Sequence, residues 1–158
     1  MVKAVYPGTF DPITNGHIDI VERASKIFSQ VVIAVSTNPM KTPLFSVSQR
    51  VSFIRETLKD IPNVVVDQFN GLLVDYATAV NAAVLVRGLR AISDFEYEFQ
   101  MALMNRKISS NITTVFLMPH EKYTYLNSTI VKELKSFGGD VSHFVPKTIL
   151  DALDDRYK

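Results

Sequence analysis

Short β-branched runs alternate with longer amphipathic segments along the whole chain. The runs at 3–6, 31–36, 64–69, 84–86 and 114–118 are almost entirely apolar. That pattern predicts strands covered on both faces, as in a parallel sheet, rather than half-wet strands with strict alternation. Between them lie helical periods. Ile18, Val21, Ala24 and Phe28 fall on one helical face. Ser46 and Gln49 predict a capping box ahead of Val51, Ile54 and Leu58, and Ser93 with Glu96 predicts a second, opening a helix through about residue 104. A further helix covers 132–137 and stops at Gly138-Gly139, and a last one starts near Pro146. Strand and helix in alternation predict a doubly wound, Rossmann-like α/β fold: a five-stranded parallel sheet with helices on both faces.

In such sheets ligands bind at the carboxyl ends of the strands, near a reversal of strand order. Residues just after each strand are therefore the ones to inspect. After the first strand, Gly8 permits a close approach, and Gly16 and His17 stand where a helix begins, where free N–H groups suit a phosphate. After the second, Lys41 sits in a loop between Pro39 and Pro43, a movable positive charge. After the fourth, Arg87-Gly88-Leu89-Arg90 places two guanidinium groups at a buried strand end, where an anionic ligand explains them better than solvent does. Glu98 follows on the next helix, able to accept from ribose hydroxyls or a cation. After the fifth, Asn127, Ser128 and Thr129 cap another helix whose N–H groups could hold more phosphate. His120 and His143 have no evident partner and are read as structural. Singly, each of these signals is matched by a bland alternative: a turn glycine, a solvated lysine, an ordinary cap. Their arrangement, phosphate-type groups after four of five strands, carries the reading.

Composition narrows the field. With 158 residues, 47% hydrophobic and 21% charged, the chain suits one packed domain spanning 1–158. A net charge of +1 argues against nucleic acid as the main partner. No cysteine is present, so thiolate catalysis, thiolate metal sites and disulfides are excluded. The N-terminus does not read as a signal peptide and no run is long enough for a membrane span, so a cytoplasmic protein without a membrane partner is expected and the two N-x-T sequons, at Asn111 and Asn127, are read as chance. No P-loop, nucleophile elbow or HExxH motif occurs. The helix opening near Ser93 carries two apolar stripes, Phe95-Phe99-Ala102 and Tyr97-Met101-Met104. One is expected to face the sheet, and the other to be covered by a neighbouring subunit or by a second helix of the same chain.

The residues now in view carry a resemblance. The stretch from Tyr6 to Pro12 running into Thr14-Asn15-Gly16-His17 resembles the T/H-x-G-H signature of the nucleotidyltransferase superfamily. Arg87 to Arg90, continued by Asp94 to Glu98, looks specifically like bacterial phosphopantetheine adenylyltransferases. Asn127-Ser128-Thr129 with Ile130, Val131 and Lys132 is similar to that family's ISSTxxR-type motif, with Asn127 for serine and Lys132 for arginine. The resemblance implies transfer of AMP from ATP to 4′-phosphopantetheine, giving dephospho-coenzyme A and pyrophosphate by in-line attack at the α-phosphate. It also implies Mg2+, a homohexamer and a place in coenzyme A biosynthesis. Carried over by position, Thr9, Phe10, His17, Gly88, Leu89, Arg90, Glu98, Tyr123, Thr124, Tyr125, Leu126, Asn127, Ser128 and Thr129 would contact ATP. Thr9, Lys41, Leu73 and Arg87 would contact phosphopantetheine, and His17, Lys41 and Arg90 would be catalytic. Rival readings are another adenylyl- or cytidylyltransferase of the superfamily, a non-catalytic nucleotide-binding module, and a tRNA-synthetase-like core, for which the chain is short.

Overall fold

The structure is a computed structural model. It describes residues 1–38 and 42–158, and at Ile92 and Ser93 the backbone alone. Five parallel strands form one sheet: β1 (Lys3–Gly8), β2 (Gln30–Ser36), β3 (Val64–Phe69), β4 (Val84–Gly88) and β5 (Thr113–Leu117). Their order is β3-β2-β1-β4-β5, so the chain reverses direction across the sheet between β1 and β4. The crevice that this reversal opens at the carboxyl ends is where a doubly wound sheet binds ligands.

The apolar runs sort onto two faces because successive strand residues point opposite ways. Ala4, Tyr6, Val31, Ile33, Val35, Val84 and Val86 join a core with α1 (Asn15–Ile27), α2 (Val47–Thr57), α5 (Ser128–Ser136) and α6 (Lys147–Arg156). Val5, Val32, Ala34 and Leu85 face the other way, onto Val74 and Ala77 of α3 (Leu73–Ala79). Burial on both faces is complete in β1 and β2, whereas the edge strands β3 and β5 are partly open and Val65 is exposed.

Most helix starts follow the expected chemistry. Ser46 accepts from the Gln49 N–H while the Gln49 side chain accepts from the Ser46 N–H, the anticipated box. At Gly138, φ is 79°, and the Gly138 and Gly139 N–H groups donate to the carbonyls of Lys135 and Leu134, closing α5 as read from the glycine pair. The box at Ser93 is a correction. Helix α4 (Ile92–Ile108) begins earlier, with Ala91 as its N-cap and no side-chain cap bond, so Ser93 lies inside the helix. It also runs four residues beyond the expected end. Neither apolar stripe of α4 packs on the sheet. Phe95, Tyr97, Phe99, Met101, Leu103, Met104 and Ile108 are all exposed, and among the described side chains of α4 the buried one is the charged Glu98.

Candidate functional site

Two cavities meet at the carboxyl ends of the strands. The first, of about 440 Å3, lies between β1, β4 and the N-terminal ends of α1 and α5. The second, of about 330 Å3, lies between the ends of β1, β2 and β3 and the helices α3 and α4. Pro7, Gly8, Thr9, Arg87, Tyr97 and Glu98 line both and form the wall or threshold between them.

The turn after β1 is built around Phe10. Its φ is 48°, an uncommon value for a bulky residue, and its ring lies edge-on to both Tyr6 and His17 at 5.4 and 5.1 Å. A Cβ at Gly8 would meet the Phe10 ring at 2.9 Å, so any larger residue there would push that ring from its place. Thr14 caps α1 and completes an unusual capping box with a histidine as the reciprocal partner. The Thr14 N–H donates to His17 Nδ1 at 3.0 Å, and the His17 N–H to Thr14 Oγ1 at 3.4 Å. With Nδ1 accepting, the neutral ring carries its proton on Nε2, the nitrogen left for the first cavity that His17 lines. Burial, with smaller contributions from Arg90 and Arg87, lowers the His17 pKa to about 4. The ring is therefore a neutral hydrogen-bond donor near pH 7.

Arg87 and Glu98 form a forked pair, Nε to Oε2 at 2.8 Å and Nη2 to Oε1 at 2.6 Å, and Arg87 Nη1 also donates to the Pro7 carbonyl at 3.2 Å. Although burial opposes its charge, the Glu98 carboxylate holds the Arg87 guanidinium protonated. Three of its five N–H donors are thus engaged, leaving two for a ligand. Arg90 is steadied by Asp94 at 3.2 Å and the Leu126 carbonyl at 3.0 Å, and it lines the first cavity. Asn127 caps α5 through Ile130 N–H, and Ser128 Oγ donates to the Pro12 carbonyl, which ties the start of α5 to the turn after β1.

Most of the residues singled out from sequence converge. Thr9, Phe10, His17, Gly88, Arg90, Glu98, Tyr123, Leu126, Asn127 and Ser128 line the first cavity. Leu89, Thr124, Tyr125 and Thr129 are neighbours in sequence that do not line it. Thr9, Leu73 and Arg87 line the second. Lys41 lies outside the described residues. His120, read from the sequence as structural, donates its N–H to Asp19 and accepts from the Lys122 N–H at Nδ1. His143 contributes its carbonyl to the Asn15 side chain.

Two charged residues behind the site escaped the sequence reading. Asp11 is buried, with Oδ1 accepting from the Phe45 N–H at 2.9 Å and Oδ2 from the Leu44 N–H and Lys132 Nζ, both at 2.8 Å. Arg50 is buried on α2 and donates to three carbonyls. Asp11 lies inside the motif that carries the resemblance, and that was its one available signal. Arg50 gave none, since an arginine in mid-helix normally marks a wet face.

Comparison with known proteins agrees with this geometry. Residues 5–134 match the cytidylyltransferase-like family model. The phosphopantetheine adenylyltransferase of Caldanaerobacter subterraneus subsp. tengcongensis is 52% identical over 158 residues, 100% of this chain and 99% of that one. That of Dictyoglomus turgidum is likewise 52% identical over 158 residues with the same coverage, and that of Heliobacterium modesticaldum 53% over 157 residues, 99% and 94% of the two chains. Among solved structures, a candidate nicotinate-nucleotide adenylyltransferase from Vibrio parahaemolyticus superposes with a TM-score of 0.71 over 99% of this chain and 96% of that one, at 20% identity, a likeness of fold. With near-complete coverage at about half identity, the chain belongs to the phosphopantetheine adenylyltransferase family, within the cytidylyltransferase-like group.

Proposed function

We infer that this protein transfers the AMP group of ATP to the phosphate of 4′-phosphopantetheine, releasing pyrophosphate and forming dephospho-coenzyme A. The observation that carries the reading is the pair of cavities joined at Thr9, Arg87 and Glu98, one wall serving two anionic ligands. ATP takes the cavity against the N-terminal ends of α1 and α5, whose dipoles favour its phosphates. Phosphopantetheine takes the cavity lined by Leu73, with its phosphate toward Arg87 and, by the family resemblance, Lys41.

An oxygen of the acceptor phosphate attacks the α-phosphorus, a new P–O bond forms, and the bond to the β-phosphate oxygen breaks in line. The nucleophile is already an anion, so no general base is required. What the protein supplies is orientation of two repelling anions and donors aimed at the charge on the α-phosphate. His17 Nε2–H and Arg90 serve in that role. Magnesium enters on the phosphates of ATP and is part of the substrate. Among the described residues no three His, Asp or Glu side chains gather to hold a metal of their own, and Asp94 and Glu98 are engaged with Arg90 and Arg87. A single domain over 1–158, a cytoplasmic setting and a homohexamer complete the reading, carried by the family resemblance. No helix among the described residues is long and apolar enough to cross a membrane.

Pyrophosphate release from ATP and magnesium, with and without phosphopantetheine, tests the assignment. Release that depends on phosphopantetheine, with dephospho-coenzyme A as product, is the expected result. Release with nicotinate mononucleotide instead would move the chain to another acceptor.

A further inference from the structure

The ladder between β1 and β2 ends at the pair Gly8 and Val35. One residue further the two chains part, and the crevice begins between Thr9 and Ser36, both of which line the second cavity. Arg50 spans that parting. Its Nη1 donates to the Thr9 carbonyl at 2.6 Å and to the Ser36 carbonyl at 3.1 Å, while Nε donates to the Phe45 carbonyl at 3.1 Å. Arg50 is 2% exposed and makes no carboxylate ion pair among the described residues. Burying a guanidinium is costly, and here the three carbonyl acceptors and the charge of nearby Asp11 offset that cost. From the other side Asp11 holds the Phe45 N–H, so the segment leading into α2 is gripped at both its donor and its acceptor.

We propose that Arg50 is a positioning residue for adenylyl transfer, acting as a molecular spacer that takes over where the β1–β2 ladder stops and fixes the width of the crevice at Thr9. This rests on the reading of Thr9 as a residue shared by the two substrate sites. Arg50 touches no substrate itself; its effect passes through the Thr9 and Ser36 peptides. A small displacement of Thr9 would leave each substrate bound but misalign the acceptor oxygen and the α-phosphorus, and misplacement by about 1 Å costs on the order of 100-fold in rate.

The test is a cycle of Arg50→Lys, Thr9→Val and the double variant, with Ile54→Val as a control. Ile54 is fully buried on the same helix, so that change weakens α2 without touching the crevice. Turnover at saturating substrates, ATP affinity by calorimetry and thermal midpoint are measured for each. Lysine keeps the charge but lacks the planar fork that lets Nε reach the Phe45 carbonyl while Nη1 reaches those of Thr9 and Ser36. Arg50→Lys is expected to fold, to lose roughly 10- to 100-fold in kcat and to hold ATP within about threefold of the parent. The double variant should be no slower than the worse single one, because both act at Thr9. Ile54→Val should lower the thermal midpoint and keep kcat. Wild-type turnover in Arg50→Lys, failure of that variant to fold, a kcat loss no greater than that of Ile54→Val, or losses that multiply in the double variant would each overturn the proposal. Full turnover in Thr9→Val would remove Thr9 from the site and the inference with it. A slow Thr9→Val beside a normal Arg50→Lys would sink the Arg50 role alone.

Discussion

The two nitrogens of His17 have separate tasks. Nδ1 accepts from the Thr14 N–H and fixes both the ring plane and the tautomer, and in the proposed function Nε2 is left for the nucleotide. His17→Ala is expected to lower kcat about 100- to 1,000-fold, the loss typical of one preorganised donor to a developing anion, while ATP affinity changes far less. Steady-state rates beside calorimetry check this; turnover near the parent in a folded variant would remove His17 from the chemistry. The depressed pKa has a second consequence. Between about pH 4 and 6.5 the unfolded chain binds a proton that the folded ring refuses, so stability falls as pH drops through that window and is unaffected by His17 above it. At 1.36 kcal/mol per pH unit the effect is at most about 3 kcal/mol, and smaller because solvent reaches part of the ring. Urea unfolding of the parent and His17→Gln across pH 4–7 isolates it: their difference should change in this window and be flat above it. Proton NMR should find the ring titrating below pH 5.

At the scale of elements, the clasp formed by Asp11 and Lys132 joins the segment entering α2 to the turn after β1 and to α5, two parts whose residues line the first cavity. The single nitrogen of Lys132 is sufficient for the clasp because Asp11 draws its other bonds from backbone N–H groups. Lys132→Met should destabilise the fold by about 2–3 kcal/mol, somewhat under the cost of breaking a fully buried pair because Lys132 is partly exposed, and Lys132→Arg should be close to neutral. Urea midpoints with unchanged m-values decide it. These elements also mark how far the sequence could be read. Strands and most helix ends were legible because apolar runs, Ser46-Gln49 and Gly138 act locally. So were most residues of the first cavity, since each follows a strand end or opens a helix. Ala91 as a cap, and the burial of Glu98 on α4, were not legible. Glu98 is buried by its bond to Arg87, eleven residues away on β4, and periodicity carries no information about such a partner. Arg50 is hidden for the same reason, its three acceptors lying on separate segments.

For the whole molecule, α4 is the outstanding unsatisfied surface. Its exposed apolar side chains include the stacked Phe95 and Phe99, rings 5.5 Å apart, together with Leu103, Met104 and Ile108. Scattered exposed apolar residues are ordinary, but a helix that presents them on several sides without packing either stripe on its own sheet is the kind of surface that association covers. The proposed homohexamer would cover it with further copies of the same chain, which closed symmetry permits without leaving a free apolar edge. Tyr97 and Met101 of the same helix line the second cavity, the proposed acceptor site, so packing of α4 would also steady that wall. The expected outcome in sedimentation velocity is a species of six times the 17.8 kDa chain mass. Phe99→Glu with Met104→Glu, which places charges on the apolar faces but outside both cavities, should give smaller species. If α4 is steadied by its neighbours, those species should also show a raised KM for phosphopantetheine with ATP affinity nearly unchanged, because α4 forms more of the acceptor wall than of the nucleotide cavity. A hexamer that survives both charges would place the contact elsewhere. Smaller species with parental KM would keep the interface on α4 and separate it from the acceptor site.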